Sequence, residues 1–553
     1  MVSEILRSRL SQALLIVGPL TSLVINPWGN FDPISVVKLT AIASIAFLIL
    51  FLILSNQKIL AETDKSLKVA VGLFLTFLAT TFLFSGAPMN QQLWGMFGRN
   101  TGLLAYFSLS VILLATVIVS DVKFYSKLVR TLILTGVPMT LYCLIQISGN
   151  DPIGWSLFQT FGTLGNVNFL SAFLGLVCVA SLPFILDSKT SRLSKVSLVA
   201  LLAVDIYIIQ STESIQGIFV FGVGFVVIIF MKLKSAKLFN FQQLLFSLLI
   251  LLLAIPTASG LANKGPLAPY LFQNSIVLRT DYWHAGFQMT LDKPLFGVGL
   301  DSYGDWYRES RGEISTLRGS PDRTTNTAHN IFLDISSNGG LPLLLAYLAL
   351  LLIAIRAGFR RYKASEGVFD PVFAAIVATW AGYQIQALVS INQLGVGIWG
   401  WLLTGALIGY WKANESSKQS SNRKVAKNQL LPAYSAVMGI VGLGAGFLLA
   451  WFPLNADSRY FSATKSGDWA KVVQAVESPG ATAWHLARTA DSAYQSQAFD
   501  NALSQAQKLV EKYPRDVFGW RLILYLPNST TEQKDQALSR LQKLDPFNPE
   551  FAR

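Results

Sequence analysis

The sequence predicts an all-α polytopic membrane protein: about 12–13 transmembrane helices, a large extracytoplasmic loop and a small α-helical repeat domain. Three observations predict it. Of 553 residues, 52% are hydrophobic and only 14% charged, with a mean hydropathy of +0.46, where an ordinary soluble domain carries roughly 25% charged residues. Apolar runs near the 20 or so residues that cross hydrocarbon recur from the N-terminus to residue 452. Beyond 452 the chain turns polar and repeats itself.

Thirteen runs qualify as spans: 11–27, 36–54, 69–86, 102–120, 131–148, 167–186, 196–212, 217–231, 241–258, 328–354, 372–391, 396–411 and 433–452. The first follows a basic N-terminus with no small-residue cleavage site, so it reads as an uncleaved span rather than a secretory signal. The connectors alternate in charge. Arg7 and Arg9, Lys58 to Lys68, Lys123 to Arg130, Lys189 to Lys195, Lys232 to Lys237, Arg356 to Lys363 and Lys412 to Lys427 fall on one side, while the other side shows only Lys38 and Arg99 in its short connectors. That bias puts the N-terminus in the cytoplasm. The net charge of +13 then belongs to cytoplasmic connectors and calls for no nucleic-acid partner.

The resulting domains are spans one to nine over 1–258, a large outer loop over 259–327, spans ten to thirteen over 328–452, and a tail over 453–553. An odd span count places the tail outside, and losing one weak helix would reverse that. Cys143 and Cys178 lie in apolar runs, where a thiol acts as a small hydrophobe, and no spacing suggests a disulfide framework or a metal site.

A connector as long as 259–327 is usually functional or disordered, and this one is not low in complexity. RTDYWHAGFQMTL reads as an amphipathic helix on the membrane surface, and KPLFGVGLDSYG as a structured turn. In the tail, 500-DNALSQAQKLVEKYP-514 aligns with 535-DQALSRLQKLDP-546 at an offset of 35. That period suggests helix-turn-helix units resembling tetratricopeptide repeats, which hold partners on concave surfaces. A protein partner at the tail is one expectation, and a packing role is the other.

His329 opens the tenth span, with Asn330 beside it and Asp334 about one and a half turns deeper. A neutral imidazole there can accept a proton. Equally, His329 and Asn326 could merely cap the helix. Asp334 is an acid at the edge of hydrocarbon, which calls for a partner or a task. Arg279 starts the surface helix on the same side, where a guanidinium can grip a diphosphate with paired hydrogen bonds or snorkel toward headgroups. His284, five residues on, faces elsewhere and reads as structural. Polar, glycine-rich entries carry Arg99 (GMFGRNTG), Asn166 and Asn168 (FGTLGNVNFLSAF) and Gln216 (QSTESIQGIF) to the same membrane face, and Asp205 and Glu213 there need partners of their own.

The order of elements resembles the O-antigen ligase and polymerase superfamily. It is carried by GRNTG, GNVNF, the S-x-x-G of Ser214 to Gly217, a loop opening with LRTDYWHAGFQMTLDKPLFGVGLDSYG and closing with AHNIFLDISSNGGLP, over roughly residues 10–411. The resemblance implies transfer of a glycan from a polyprenyl (undecaprenyl) diphosphate carrier to an acceptor hydroxyl outside the bacterial cytoplasmic membrane, without metal, nucleotide or other cofactor. Its partners would be the lipid-linked donor, membrane lipids, and an acceptor that is a glycolipid, a glycan or a protein. By the same resemblance Arg279 binds the leaving diphosphate and His329 orients or deprotonates the acceptor.

Two departures stand out. Ile215 and Gln216 occupy a place where family ligases usually carry an arginine, and Asn338 a place where an acid is common. A substitute for the missing cation would be Arg99, or a loop arginine such as Arg318 or Arg323. The competing class is a lipid-linked sugar transporter or flippase, which commonly shows internal symmetry and broken helices at mid-membrane. No half-to-half repeat is present, and the polar features gather at one face. Ligase, polymerase and protein glycosylation are not distinguished by the residues.

Overall fold

The computed structural model describes residues 2–155, 159–235, 255–256, 259–260, 263–271, 274–318, 320–365, 367–419 and 432–551, and no strand occurs among them. The described helices are α1 (Val2–Leu23), α2 (Ser35–Leu54), α3 (Lys58–Ala61), α4 (Lys65–Phe84), α5 (Met89–Trp94), α6 (Leu103–Val119), α7 (Val122–Ile147), α8 (Val167–Leu186), α9 (Arg192–Ser211) and α10 (Gln216–Ser235). The loop adds α11 (Ala268–Leu271), α12 (Asn274–Asp292), α13 (Tyr303–Ser310) and α14 (Glu313–Arg318). Then come α15 (Ile331–Ala364), α16 (Pro371–Ala387), α17 (Leu394–Gln419) and α18 (Pro432–Ser466), and in the tail α19 (Trp469–Val476), α20 (Ala483–Gln495), α21 (Phe499–Lys512), α22 (Val517–Tyr525) and α23 (Thr531–Leu544).

Helices dominate because a segment in hydrocarbon must satisfy its own backbone polar groups. Nine described helices, α2, α4, α7 to α10, α15, α17 and α18, are long and apolar enough to cross a membrane. The protein is a multi-pass membrane protein. The helices α1, α6 and α16 fall on three further expected runs, and most of the run at 241–258 lies outside the described residues. Side-chain carboxylates and amides cap the starts: Asp121 caps α7, Asn166 caps α8, and Asp370, followed by Pro371, caps α16. Lys38 lies inside α2, not in a connector. Its buried ammonium donates to the Thr21, Ser22 and Val24 carbonyls at 2.8, 2.7 and 3.1 Å, closing the C-terminal end of α1.

The connectors sort into two faces. Arg7 and Lys412 both reach Glu62, bringing the start of α1, the connector after α2 and the end of α17 together. On the other face Asp32 N–H donates to Asp457 at 3.0 Å, Trp94 Nε1 donates to the Leu449 carbonyl at 2.9 Å, and Phe97 stacks on Trp484 at 4.1 Å. The tail thus sits on the same face as the first and third connectors and the large loop.

The helix α15 is broken. Gly340 has φ +79°, ψ 172°, two residues before Pro342, and the break frees carbonyls that a continuous helix would use. The loop supplies their donors: Val298 N–H to Ser337 O at 2.8 Å and Gly299 N–H to Asn338 O at 3.0 Å, with Leu341 N–H returning to Pro294 O at 2.8 Å. Backbones this close leave no room for side chains. A Cβ on Gly297 would lie 2.4 Å from the Asn338 carbonyl carbon, and one on Gly340 2.5 Å from the Leu295 oxygen. The turn KPLFGVG and the helix opening ISSNGGLP are one interlocked unit.

In the tail α20 packs on α21 and α22 on α23 as helical hairpins. The aligned positions of the sequence repeat are equivalent in the core: Ala502 and Ala537, Ala506 and Leu541, Leu509 and Leu544 are all buried. The last span, α18, runs 35 residues, packs along α2 and carries the chain into the tail. Its small-residue stripe lets it approach α2 closely. A Cβ on Gly442 would meet the Phe47 oxygen at 2.4 Å, and one on Gly446 the Ala43 oxygen at 2.3 Å. Gly442→Leu should therefore destabilise the protein by about 1–3 kcal/mol, read as a lowered melting temperature in detergent, whereas Gly444→Leu, which meets nothing within 4 Å, should leave it unchanged.

Candidate active site

The first element of the candidate site is a turn held by a buried acid. Asp334, in the opening turn of α15, accepts hydrogen bonds from Thr327 Oγ1 at 2.5 Å and from Ala328 N–H at 2.8 Å. His329 N–H in turn donates to Thr327 Oγ1 at 3.1 Å. This leaves His329 at φ +51°, a left-handed conformation that a non-glycine residue adopts only when its surroundings impose it. Capping of α15 falls to Asn330, whose side chain accepts from Phe332 N–H and Leu333 N–H at 3.0 and 3.1 Å. Asn330, expected to touch substrate, is the cap, and His329 is spared that task.

The His329 ring is half-buried and stacks on Tyr282 of α12, centroids 5.4 Å apart. Tyr282 in turn meets Tyr307 edge-on at 5.7 Å and accepts a hydrogen bond from the Tyr303 hydroxyl through its carbonyl at 2.5 Å. Neither imidazole nitrogen of His329 has a hydrogen-bond partner among the described residues. Burial, helped by the Arg279 and Arg99 guanidinium charges, pushes the His329 pKa down to about 4. The imidazole is therefore neutral at pH 7 and below the near-neutral value expected of an ordinary histidine.

The arginines divide into two groups. Arg99 is buried, 3.3 Å from Asp301 and 3.9 Å from Asp334, and donates to the Asn326 carbonyl at 2.6 Å. Asp301 is nested by Met96 N–H at 2.8 Å and Thr101 N–H at 3.1 Å. Arg99 is thus a strut beneath the site, its charge shared by two acids. Arg318, a second candidate, is paired with Asp281 at 3.0 Å, and Arg308 and Arg311 both pair with Asp545. Arg279 and Arg323 remain as the loop arginines with no carboxylate partner among the described residues. Arg279 acts electrostatically on both His329 and Tyr282, and Arg323 on Tyr282, so both lie within electrostatic range of the stacked rings.

His329 and Tyr282 open into a cleft of about 970 Å³ whose other wall is the tail. The remaining sequence candidates are not there. Asn166 caps α8 through Asn168 N–H at 2.8 Å, and Asn168 accepts from Ser214 Oγ at 2.7 Å. Their neighbours Val167, Thr212 and Glu213 line a separate cavity of about 550 Å³ with Gln146 and Asp151. Gln216 is buried at the start of α10, its Oε1 without a partner among the described residues. Asp205 accepts from Thr140 Oγ1 at 2.5 Å. The polar entries expected to converge share a face but not a site. Sequence reasoning missed Asp301, Tyr282 and the tail wall. The demand of Asp334 for a partner was a usable signal for Arg99, while nothing local pointed to the tail.

The strut makes a direct forecast. Asp334→Asn removes one counter-charge of Arg99 and an acceptor of the turn, and uncompensating a buried ion pair costs about 3–5 kcal/mol. A melt in detergent should show a lower midpoint, with a larger loss than Asp281→Asn, whose partner Arg318 is 41% exposed.

Residues 170–348 match the family model described as O-antigen ligase. No curated protein matches the chain. The matched segment runs from α8 through the large loop into α15, so it contains Arg279, Arg323, His329, Asp334 and the broken helix. A ligase-type membrane glycosyltransferase acting on lipid-linked glycans is what this match implies. Over residues 170–348 the chain is similar to the O-antigen ligase family.

Proposed function

We propose that the protein transfers a glycan from a polyprenyl diphosphate carrier to an acceptor hydroxyl at the outer face of the bacterial cytoplasmic membrane. The observation that carries this reading is the His329 ring at the cleft, stacked on Tyr282 and without a hydrogen-bond partner among the described residues, with Arg279 close enough to act on it electrostatically. The positive-inside bias supports placing the cleft and tail outside.

The diphosphate is already a good leaving group, so the residues must stabilise charge and manage one proton. Arg279 and Arg323 hold the diphosphate, Arg323 standing in for the cation missing at Gln216. The acceptor oxygen attacks the anomeric carbon as the bond to phosphate breaks, the bonding pair leaves with the diphosphate oxygen, and the hydroxyl proton passes to a ring nitrogen of His329. The glycan is thereby joined to the acceptor, and the carrier departs as the polyprenyl diphosphate. Phe287, Leu291 and Leu295 stay exposed on the outer stripe of α12 and the turn after it, next to Leu341 of α15. That apolar stripe suits a polyprenyl tail lying in the bilayer.

In this reading His329→Ala lowers transfer by about 10²–10⁴ while the protein still inserts and purifies, measured with purified protein, a polyprenyl diphosphate glycan and candidate acceptors. Wild-type transfer by this variant removes His329 from the mechanism. Arg279→Gln and Arg323→Gln should each raise the KM for the donor more than that for the acceptor.

The pH dependence follows from the site charges. His329 accepts a proton only when neutral, so kcat/KM should hold down to about pH 5 and fall as the free enzyme protonates below it. Bound diphosphate adds negative charge and raises the imidazole pKa, so the acid limb of kcat should lie at higher pH than that of kcat/KM. Coincident limbs that Arg279→Gln does not move would contradict this arrangement.

A further inference from the structure

We propose that the C-terminal helical unit is a saccharide-binding wall of the active site: Tyr494, Phe518 and Tyr525, with Asp491 and Gln495, form a subsite for the sugar chain of the acceptor. The inference deepens the reading of His329 as the acceptor-side base and rests on it. The tail supplies half of the lining of the cleft that His329 opens into, so any molecule presenting a hydroxyl to His329 lies against α20 and α22.

That wall is fixed. Arg311, itself fully buried, donates to Asp545 at 2.7 Å and Arg308 to the same carboxylate at 2.8 Å. Arg515 covers the Trp306 ring at 3.5 Å and pairs with Glu309, and Arg521 donates to Asp322 at 2.6 Å. These contacts bridge the loop and the tail and hold the width of the cleft.

The chemistry of the wall selects the ligand. Its arginines are neutralised by Asp545, Glu309, Asp322 and Glu550, so it offers no spare positive charge to a phosphate. Three aromatic rings are instead left open at the cleft: Tyr494 at 38% exposure, Phe518 at 40% and Tyr525 at 54%. Flat rings take the apolar C–H face of a pyranose, and the neighbouring carboxylate and amide of Asp491 and Gln495 take its hydroxyls. Mixed apolar and convergent polar lining in a volume of this size is the form of a small-ligand site, fitting a few neutral sugar rings better than a folded protein. The division of labour is then spatial, with the anionic donor at Arg279 and Arg323 and the uncharged acceptor at the tail.

The test uses the full chain in lipid nanodiscs and a panel of neutral oligosaccharides of glucose, mannose and N-acetylglucosamine, read by saturation-transfer NMR. Wild type should transfer saturation to the ring protons of at least one member. The Tyr494→Ala/Tyr525→Ala double variant should weaken that binding by about tenfold, and Tyr494→Phe should retain it. Transfer by the His329→Ala variant is measured in parallel, which separates this inference from the catalytic reading: if His329→Ala transfers normally the catalytic reading fails, whereas the saturation-transfer signal of the Tyr494→Ala/Tyr525→Ala variant tests the subsite alone. No signal from any member of the panel, a signal unchanged in the double variant, or its competition by a glycan-free peptide acceptor would overturn the proposal.

Discussion

The site depends on one buried ion cluster. Arg99 lies between Asp301 and Asp334, and these three residues belong to the third connector, the large loop and the mouth of α15. Burying charges is costly unless each is paired and hydrogen-bonded, and here one guanidinium lies within ion-pair distance of both acids and joins three distant segments. Asp334 passes the constraint on to the Thr327 and Ala328 turn, and so to the left-handed backbone of His329. The same carboxylate therefore fixes the loop and aims the imidazole.

A second constraint operates through the backbone alone. The break at Gly340 exposes carbonyls that the 294–299 turn satisfies, so the loop is part of the folding of α15. From there the chain of contacts continues outward. Arg311 donates to the Pro321 and Arg323 carbonyls as well as to Asp545, which ties the segment carrying Arg323 to the last hairpin of the tail. Tail position and the placement of Arg323 are coupled by one buried guanidinium.

The sequence was most legible where a single physical rule governs a segment. Apolar length announced the spans, because that rule acts locally. The repeat at Asp500 and Asp535 likewise announced equivalent core positions. The site was less legible because its geometry is made of long-range pairs. Arg99 reads as a free cation until Asp301, two hundred residues away, is seen to claim it, and Lys38 reads as a connector charge until its ammonium is seen capping α1. Asn330 and His329 are adjacent, and only the cap geometry shows which one is free. Asn166, Asn168 and Gln216 share a face with His329 but not its cleft, a separation that periodicity does not encode.

The central claim is a spatial one: the donor diphosphate sits beside the stacked Tyr282 and His329 rings, and the acceptor comes from the tail side. The most direct measurement is an electron cryomicroscopy structure of the full chain with a polyprenyl diphosphate bound. The account predicts the diphosphate between Arg279 and Arg323, with His329 facing the cleft beyond it. Diphosphate density in the separate cavity beside Val167 and Glu213 would contradict it.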